Sequence, residues 1–197
     1  MSREDAVRPE LSFSAATEAD LDEVMRLEHS GFLPGIIERP DVFLERIRVF
    51  PEGFLVARTG PEQRAIGYIC SEIWPYRDPI DASMFELNHG IAATHREDGD
   101  ELYVSSMTIL PSLRGQGLGR RLFAECIERA RSTHSGIFSV LLIVNETWGN
   151  ARKIYMTEGF IERFRIKGFF TPSDCAPQDA IVMRRGLACT TQQTTCK

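Results

Sequence analysis

Six consecutive residues, Arg114-Gly115-Gln116-Gly117-Leu118-Gly119, have the types and spacing of an anion cradle. Glycine lets the main chain approach an anion with no side chain in between. A turn that joins a strand to a helix points several free backbone N–H groups at one spot, and the helix dipole adds partial positive charge there. Arg114, Arg120 and Arg121 add formal charge beside it. The expected ligand is a phosphate or pyrophosphate. Two common phosphate patterns are excluded. The Gly-x-Gly-x-x-Gly dinucleotide pattern needs a glycine where Arg120 stands, and the Gly-Lys-Ser/Thr triplet of the Walker pattern is absent. The alternative is a turn that only connects two elements.

The neighbouring elements supply the context such a turn needs. Glu101 to Leu110 alternates as a strand, with Glu101, Tyr103, Ser105, Met107 and Ile109 on one face. After the turn, Leu118, Leu122, Cys126 and Ala130 fall at i+4 steps, which predicts a helix to about Arg131. Ser139 to Val144 is a short apolar run of the buried, parallel-sheet kind. Asn150 to about Glu158 reads as a short helix closed by Gly159, and Phe160 to Lys167 and Asp179 to Arg184 as two late strands. Upstream, Thr17 and Asp20 open a helix in which Leu21, Val24, Met25 and Glu28 follow at helical spacing and Gly31 marks the end. A second helix fits Pro40 to Val49, and Phe54–Ala57 with Ala65–Trp74 reads as an antiparallel hairpin. Helices, a hairpin, then strand–helix–strand–helix make a mixed α/β sheet with its parallel part in the middle.

Length and composition restrict the function classes. The 197 residues suit one buried domain, expected over 11–187, with a polar, low-complexity tail over 188–197 expected to be disordered. A net charge of −5 argues against nucleic acid as the partner. No apolar run is long enough for a membrane span and the start lacks a signal-peptide core, so the expectation is a cytoplasmic protein. The five cysteines are scattered without a Cys-x-x-Cys pair, so neither a disulfide framework nor a metal site is expected, and Cys70 and Cys126 read as core residues. From Glu72 to Glu101, both included, there are eight acidic side chains and two arginines. This stretch is either a solvated loop with some local helix or a loop that lends negative field to a site.

Two separated motifs now carry a resemblance. Arg114 to Gly119 follows a strand ending in Met107-Thr108-Ile109-Leu110-Pro111, and Ala151, Tyr155 and Gly159-Phe160 follow the next strand. In this the chain resembles the GNAT superfamily of N-acetyltransferases. The resemblance implies a single GNAT-type domain, with the strands near 101–110 and 138–144 splayed apart and flanked by helices. It implies acetyl-CoA as acyl donor. The main chain of Met107, Thr108 and Ile109 would pair with the pantetheine arm, the amides of Arg114, Gly115, Gln116, Gly117, Leu118 and Gly119, with Arg120, would hold the pyrophosphate, and Asn145 and Asn150 would make polar contacts. Tyr155 would protonate the departing thiolate; its alternative is a core aromatic. The first half is similar to the arylalkylamine N-acetyltransferase branch, through Leu27-Glu28, the loop to Arg39-Pro40-Asp41, and Arg46 to Val56. That branch has two histidines on the central strand; here the matching positions are Tyr103 and Ser105.

Amine attack on a thioester needs a neutral amine and therefore a base, and makes an oxyanion that strand amides stabilise. Glu101 is the first candidate for the base, acting directly or through water, and Glu72 the second; either could instead be a solvated strand-end carboxylate. His89 and His95 are minor candidates for a shuttle. The expected acceptor is a small primary amine, drawn in by acidic groups such as Asp98 and Asp100. A protein or peptide N-acetyltransferase and a non-catalytic acyl-CoA-binding module are the competing readings. The residues do not decide between a monomer and a homodimer.

Overall fold

The computed structural model describes residues 11–188. Its strands are β1 (Leu11–Ala15), β2 (Phe54–Thr59), β3 (Arg64–Trp74), β4 (Glu101–Ile109), β5 (Ser139–Asn145), β6 (Ile161–Phe170) and β7 (Gln178–Gly186). Its helices are α1 (Leu21–Gly31), α2 (Pro40–Val49), α3 (Ile91–Thr94), α4 (Leu118–Thr133) and α5 (Gly149–Thr157). The tail expected to be disordered, apart from Ala188, lies outside the described residues, as do Cys189 and Cys196.

Local chemistry accounts for the element ends. Thr17 and Asp20 form a capping box ahead of α1, with the Thr17 amide donating to Asp20 Oδ2 at 2.8 Å. Pro40 opens α2, where its missing N–H costs nothing. One strand escapes the sequence pattern: β1, five residues long, pairs with β2 along the sheet edge.

The seven strands form one mixed sheet in the order β1-β2-β3-β4-β5-β7-β6. On one side α1 and α2 pack Val24, Leu27, Phe43 and Ile47 onto Phe54, Val56, Tyr68 and Cys70. On the other, α4 packs Leu122, Phe123 and Cys126 onto Leu55, Ile69, Leu102 and Val140. Each large apolar side chain so buried contributes about 1.5–3 kcal/mol. Cys70 and Cys126 are both buried free thiols.

The centre of the sheet is irregular in two places. Strands β4 and β5 are parallel, but they pair only from Glu101↔Ser139 to Val104↔Leu142. Beyond those pairs β4 continues to Ile109 and β5 to Asn145 without bonding to each other. Strand β4 also carries a bulge against β3: the register passes from Cys70↔Ser106 to Ser71↔Val104, which leaves Ser105 unmatched. The extra residue reverses the alternation. Leu102, Val104 and Ile109 therefore share the α4 side, while Tyr103 packs in a cluster on the opposite side. The unbroken alternation expected over 101–110 does not survive the bulge.

The acidic stretch between β3 and β4 is tied down rather than free. His89 Nε2 meets Glu72 Oε1 at 2.5 Å, and Trp74 Nε1 and the Thr94 hydroxyl also donate to that carboxylate. Burial opposes charge on both partners, yet the pairing outweighs it: Glu72 is held below the ordinary carboxylate range and His89 above the ordinary imidazole value. Phe85 and Ile91 are buried beneath the segment, whereas Asp78, Asp81, Glu86, Glu97 and Asp98 face solvent.

Candidate active site

The gap between β4 and β5 opens into a cleft of about 850 Å³. It runs from the turn before α4, past the unpaired halves of both strands, to the loops after α1 and β6.

At one end lies the glycine turn. Gly115 (φ +79°) and Gly117 (φ +76°) occupy the left-handed region, which glycine enters without strain. No atom lies within 4 Å of where a Cβ would stand on either residue. Helix α4 starts at Leu118 without a side-chain cap, so its first amides face the cleft mouth without a side-chain partner. The arginines are less free than the sequence suggests. Arg114 Nε donates to Ile109 O at 3.1 Å and its Nη2 to Thr108 Oγ1 at 3.3 Å, which clamps the turn to the end of β4. Arg120 pairs with Glu158 at 2.6 Å, and Arg121 lies over the Phe13 ring.

In the middle, Met107, Thr108 and Ile109 of β4 face Leu142, Ile143 and Val144 of β5 across the gap. Tyr155, from α5, lines the same stretch and packs against Phe123 and Phe160 with ring centroids 5.8 and 5.7 Å away. Burial pushes its phenol up to about 12, so it carries its proton at neutral pH.

At the far end the walls are apolar: Phe32 and Ile36 from the loop after α1, Leu87, Trp148, and Phe170 at the end of β6. Phe32, Trp148 and Phe170 form an aromatic chain with centroid spacings of 5.3 and 5.5 Å. Ser173 donates its amide to Pro34 O at 2.8 Å, which joins the loop after α1 to the β6–β7 connection. Arg39 donates its amide to Asn88 at 2.7 Å and so ties in the acidic segment as well.

A carboxylate sits in this apolar end. Glu28 lines the cleft but exposes only 1% of its surface. Its Oε1 accepts the Glu38 amide at 2.9 Å and its Oε2 accepts the Tyr68 hydroxyl. Burial raises the Glu28 carboxyl to about 7; the Glu38 charge adds to the rise, and the two hydrogen bonds with the Arg46 charge oppose it. Glu38 also lines the cleft but is bound to Arg46, with contacts of 2.8 and 2.9 Å. A carboxylate poised near neutrality in a cleft is suited to proton transfer.

The cleft brings together Met107, Thr108, Ile109, Arg114, Gly115, Gly117, Leu118, Gly119, Arg120, Asn150 and Tyr155. Several candidates lie elsewhere. Glu101 is at the closed end of the β4–β5 pair, bonded to Ser139 Oγ at 2.7 Å and to Arg184 at 2.7 and 2.8 Å. A carboxylate so committed, remote from the opened strands, cannot meet an amine in the cleft. Asn145 is buried at the end of β5, where Gln178 and Thr147 satisfy its amide group. Gln116 stays in the turn with its side chain exposed; its expected role is through its main-chain amide. Glu72 is consumed by its pairing with His89. Tyr103 stacks on Trp74 at 3.9 Å, away from the cleft, while Ser105 lines it. His95 accepts the Ile73 amide at 3.1 Å through Nδ1 and lies against Phe50 at 4.6 Å, so it too serves packing. The charges of Asp98 and Asp100 do not line the cleft; Asp100 accepts the Tyr76 amide at 2.6 Å. Sequence spacing does not single out Glu28 or Ser106 as site residues, although Glu28 stands in the apolar stripe of α1, an unusual place for a lone carboxylate.

Solved structures share this architecture. The ribosomal-protein-S18-alanine N-acetyltransferase from Escherichia coli aligns with a TM-score of 0.66 at 16% identity, over 93% of this chain and 98% of its own. The GphF GNAT-like decarboxylase in complex with isobutyryl-CoA aligns with a TM-score of 0.73 at 15% identity, over 90% and 100%. A putative phosphinothricin N-acetyltransferase aligns with a TM-score of 0.66 at 20% identity, over 91% and 99%. At these identities the likeness speaks for the fold alone. Among curated protein sequences, none matches the chain. The sequence pattern of the Acetyltransferase (GNAT) family, however, matches residues 21–160, which take in α1, the opened strands, the glycine turn and Tyr155. With the cleft geometry alongside that match, the chain belongs to the GNAT family of acetyltransferases.

Proposed function

We propose that the protein transfers the acetyl group of acetyl-CoA to the primary amine of a small molecule with an apolar body, by direct attack through a tetrahedral intermediate. One observation carries this reading: a single cleft joins an amide-rich turn, an opened strand pair and an apolar chamber that holds a near-neutral carboxylate. The turn from Arg114 to Gly119, with Arg120 and Asn150, suits the pyrophosphate end of the donor. Main-chain groups of Met107 to Ile109, which do not bond to β5, suit the pantetheine arm, which would lie there as an added strand; the Ile109 carbonyl already accepts from Arg114. Tyr155 is the acid that returns a proton to the thiolate. Glu28, and not Glu101, is the base.

The apolar walls favour an acceptor whose body is aromatic or aliphatic. The bond between Ser173 and Pro34 ties the loop that carries Phe32 and Ile36 to the connection after Phe170, and a chamber with walls so joined favours a small acceptor over an extended peptide. The acidic segment 75–100 serves the site through Leu87, which it contributes to the wall, and not through its surface charges. A cytosolic location without a membrane partner remains part of the proposal.

The test is acetyl-CoA consumption across polyamines, arylalkylamines, amino acids and peptides. Turnover is expected to be best with arylalkylamines; turnover confined to peptides overturns the acceptor class. In the same assay Glu28→Gln is expected to lower kcat by roughly 10²–10⁴-fold, the usual worth of a base. Glu101→Gln is expected to retain kcat and lose stability, because its role is the ion pair with Arg184.

A further inference from the structure

Glu28 is a base that an acceptor can hardly touch. It shows 1% of its surface, and both its oxygens already accept hydrogen bonds. The hydrogen-bond network offers a route to it. Tyr68 is fully buried, and its Oη lies 2.8 Å from Ser106 Oγ. Ser106 is half-buried on β4 and lines the cleft. The polarity of these linked bonds is fixed by counting hydrogens. A phenol has one proton, and Tyr68 gives it to ionised Glu28. Ser106 must therefore donate to Tyr68, which leaves the serine lone pairs free to accept a proton from the cleft.

Resting on Glu28 as the base, we propose that Ser106 and Tyr68 form a relay that carries the amine's proton to Glu28, with Ser106 the hydroxyl that meets the amine. The acceptor binds as the free amine, its first proton left in the solvent; it attacks the thioester carbonyl carbon and its nitrogen becomes cationic. That nitrogen gives one proton to Ser106 Oγ as Ser106 passes its own to Tyr68 Oη and Tyr68 passes its own to Glu28 Oε2. The C–S bond then breaks, and the departing sulfur takes the proton of Tyr155. Glu28 ends protonated and Tyr155 deprotonated, and exchange with water resets both. Burial, with the neighbouring Glu28 charge adding to it, holds the Tyr68 phenol well above its ordinary value, so the protons shift together and no tyrosinate accumulates there. Ser106 can occupy this position because the bulge at Ser105 turns it toward the α1 side of the sheet. The ionisable groups around Glu28 are Tyr68 and Cys70 from β3, Glu38 from the loop after α1, and Arg46 from α2; Ser106 and Thr108 of β4 are neutral.

The experiment compares the parent with Ser106→Ala, Ser106→Thr, Tyr68→Phe and Glu28→Gln, using phenylethylamine and saturating acetyl-CoA across a pH series. Ser106→Ala is expected to lower kcat by roughly 10²-fold with the KM for acetyl-CoA unchanged, and Ser106→Thr to restore most of it. Tyr68→Phe is expected to lower kcat and move the acid-side inflection to higher pH, because a bond that favours the carboxylate is lost. Parental kcat in Ser106→Ala overturns the relay, and that pair of serine variants decides the matter even where Tyr68→Phe does not fold. An unmoved inflection in folded Tyr68→Phe also overturns it. The two readings fail separately. Parental kcat in Glu28→Gln removes the base and the relay with it, whereas a slow Glu28→Gln beside a fast Ser106→Ala removes the relay alone.

Discussion

Two glycines share one positive φ and differ in their place in the fold. Gly117 and Gly60 both have φ +76°, and neither has an atom within 4 Å of where a Cβ would stand. Gly117 precedes α4 at the cleft, and Gly60 sits in the turn between β2 and β3. Valine at either site is strained by about 1–2 kcal/mol, the cost of a left-handed conformation for a residue with a Cβ. That is a loss of about 2–8 °C in Tm for a chain of this size. The two variants should therefore be equally destabilised. Their acetyl-CoA affinities should not match. At Gly117 the side chain stands where an anion would meet the backbone amides, and each charge-assisted bond lost costs about 1.5–3 kcal/mol. Two such bonds amount to about 3–6 kcal/mol, or roughly 10²–10⁴-fold in Kd. Calorimetric titration of acetyl-CoA into the parent, Gly117→Val and Gly60→Val reads this directly. Parental affinity in folded Gly117→Val, or an equal loss in Gly60→Val, refutes the cradle.

Tyr155→Phe is expected to slow turnover by roughly 10²–10⁴-fold while acetyl-CoA binds as in the parent; parental rates in the folded variant take Tyr155 out of the chemistry. Glu72→Gln is expected to destabilise the protein in a pH-dependent way, measured as the difference in Tm from the parent. His89 is raised in the folded state, so its share is complete below the unfolded value of about 6.5 and fades as pH rises through the folded value. Glu72 is depressed, so its share is present above about 4.5 and fades as pH falls. The difference between variant and parent should therefore be largest between those two values, and a difference flat across pH contradicts the pairing.

What the sequence made legible was local. The anion cradle is six adjacent residues whose chemistry does not depend on distant partners, and the helices announce themselves by spacing and caps. The proposed base was not legible in this way. Glu101 and Glu28 are both carboxylates beside apolar residues, and what separates them is which end of the β4–β5 pair opens. That depends on register with a strand that begins 38 positions later, at Ser139, and on an arginine on β7. The bulge at Ser105 is likewise invisible in a run of alternating residues, yet it decides which serine reaches Tyr68. The expectation that Asn145 contacts the donor rests on the family resemblance alone; here Thr147 and Gln178 close on it. The charge run between β3 and β4 reads as one feature, but its exposed charges and the buried Glu72 have unrelated roles.

A sheet that parts in the middle has four edges instead of two, and each edge is a template for an unwanted strand. The outer edge at β6 is protected by charge. Ile161, Arg163, Arg165 and Lys167 are exposed at alternate positions along it, and three of the four are cations. Arg163 lies 3.6 Å from Asp78 and Arg165 3.2 Å from Glu146, so a second copy approaching edge to edge would meet a row of hydrated, partly paired charges. The inner edges, along Ser105 to Ile109 and Ile143 to Asn145, have no such row. Their protection is steric, because they face each other within a cleft walled by α1, α4 and α5. The two safeguards against self-association respond differently to the medium: added salt screens the cations of β6 and leaves the walls of the cleft as they are.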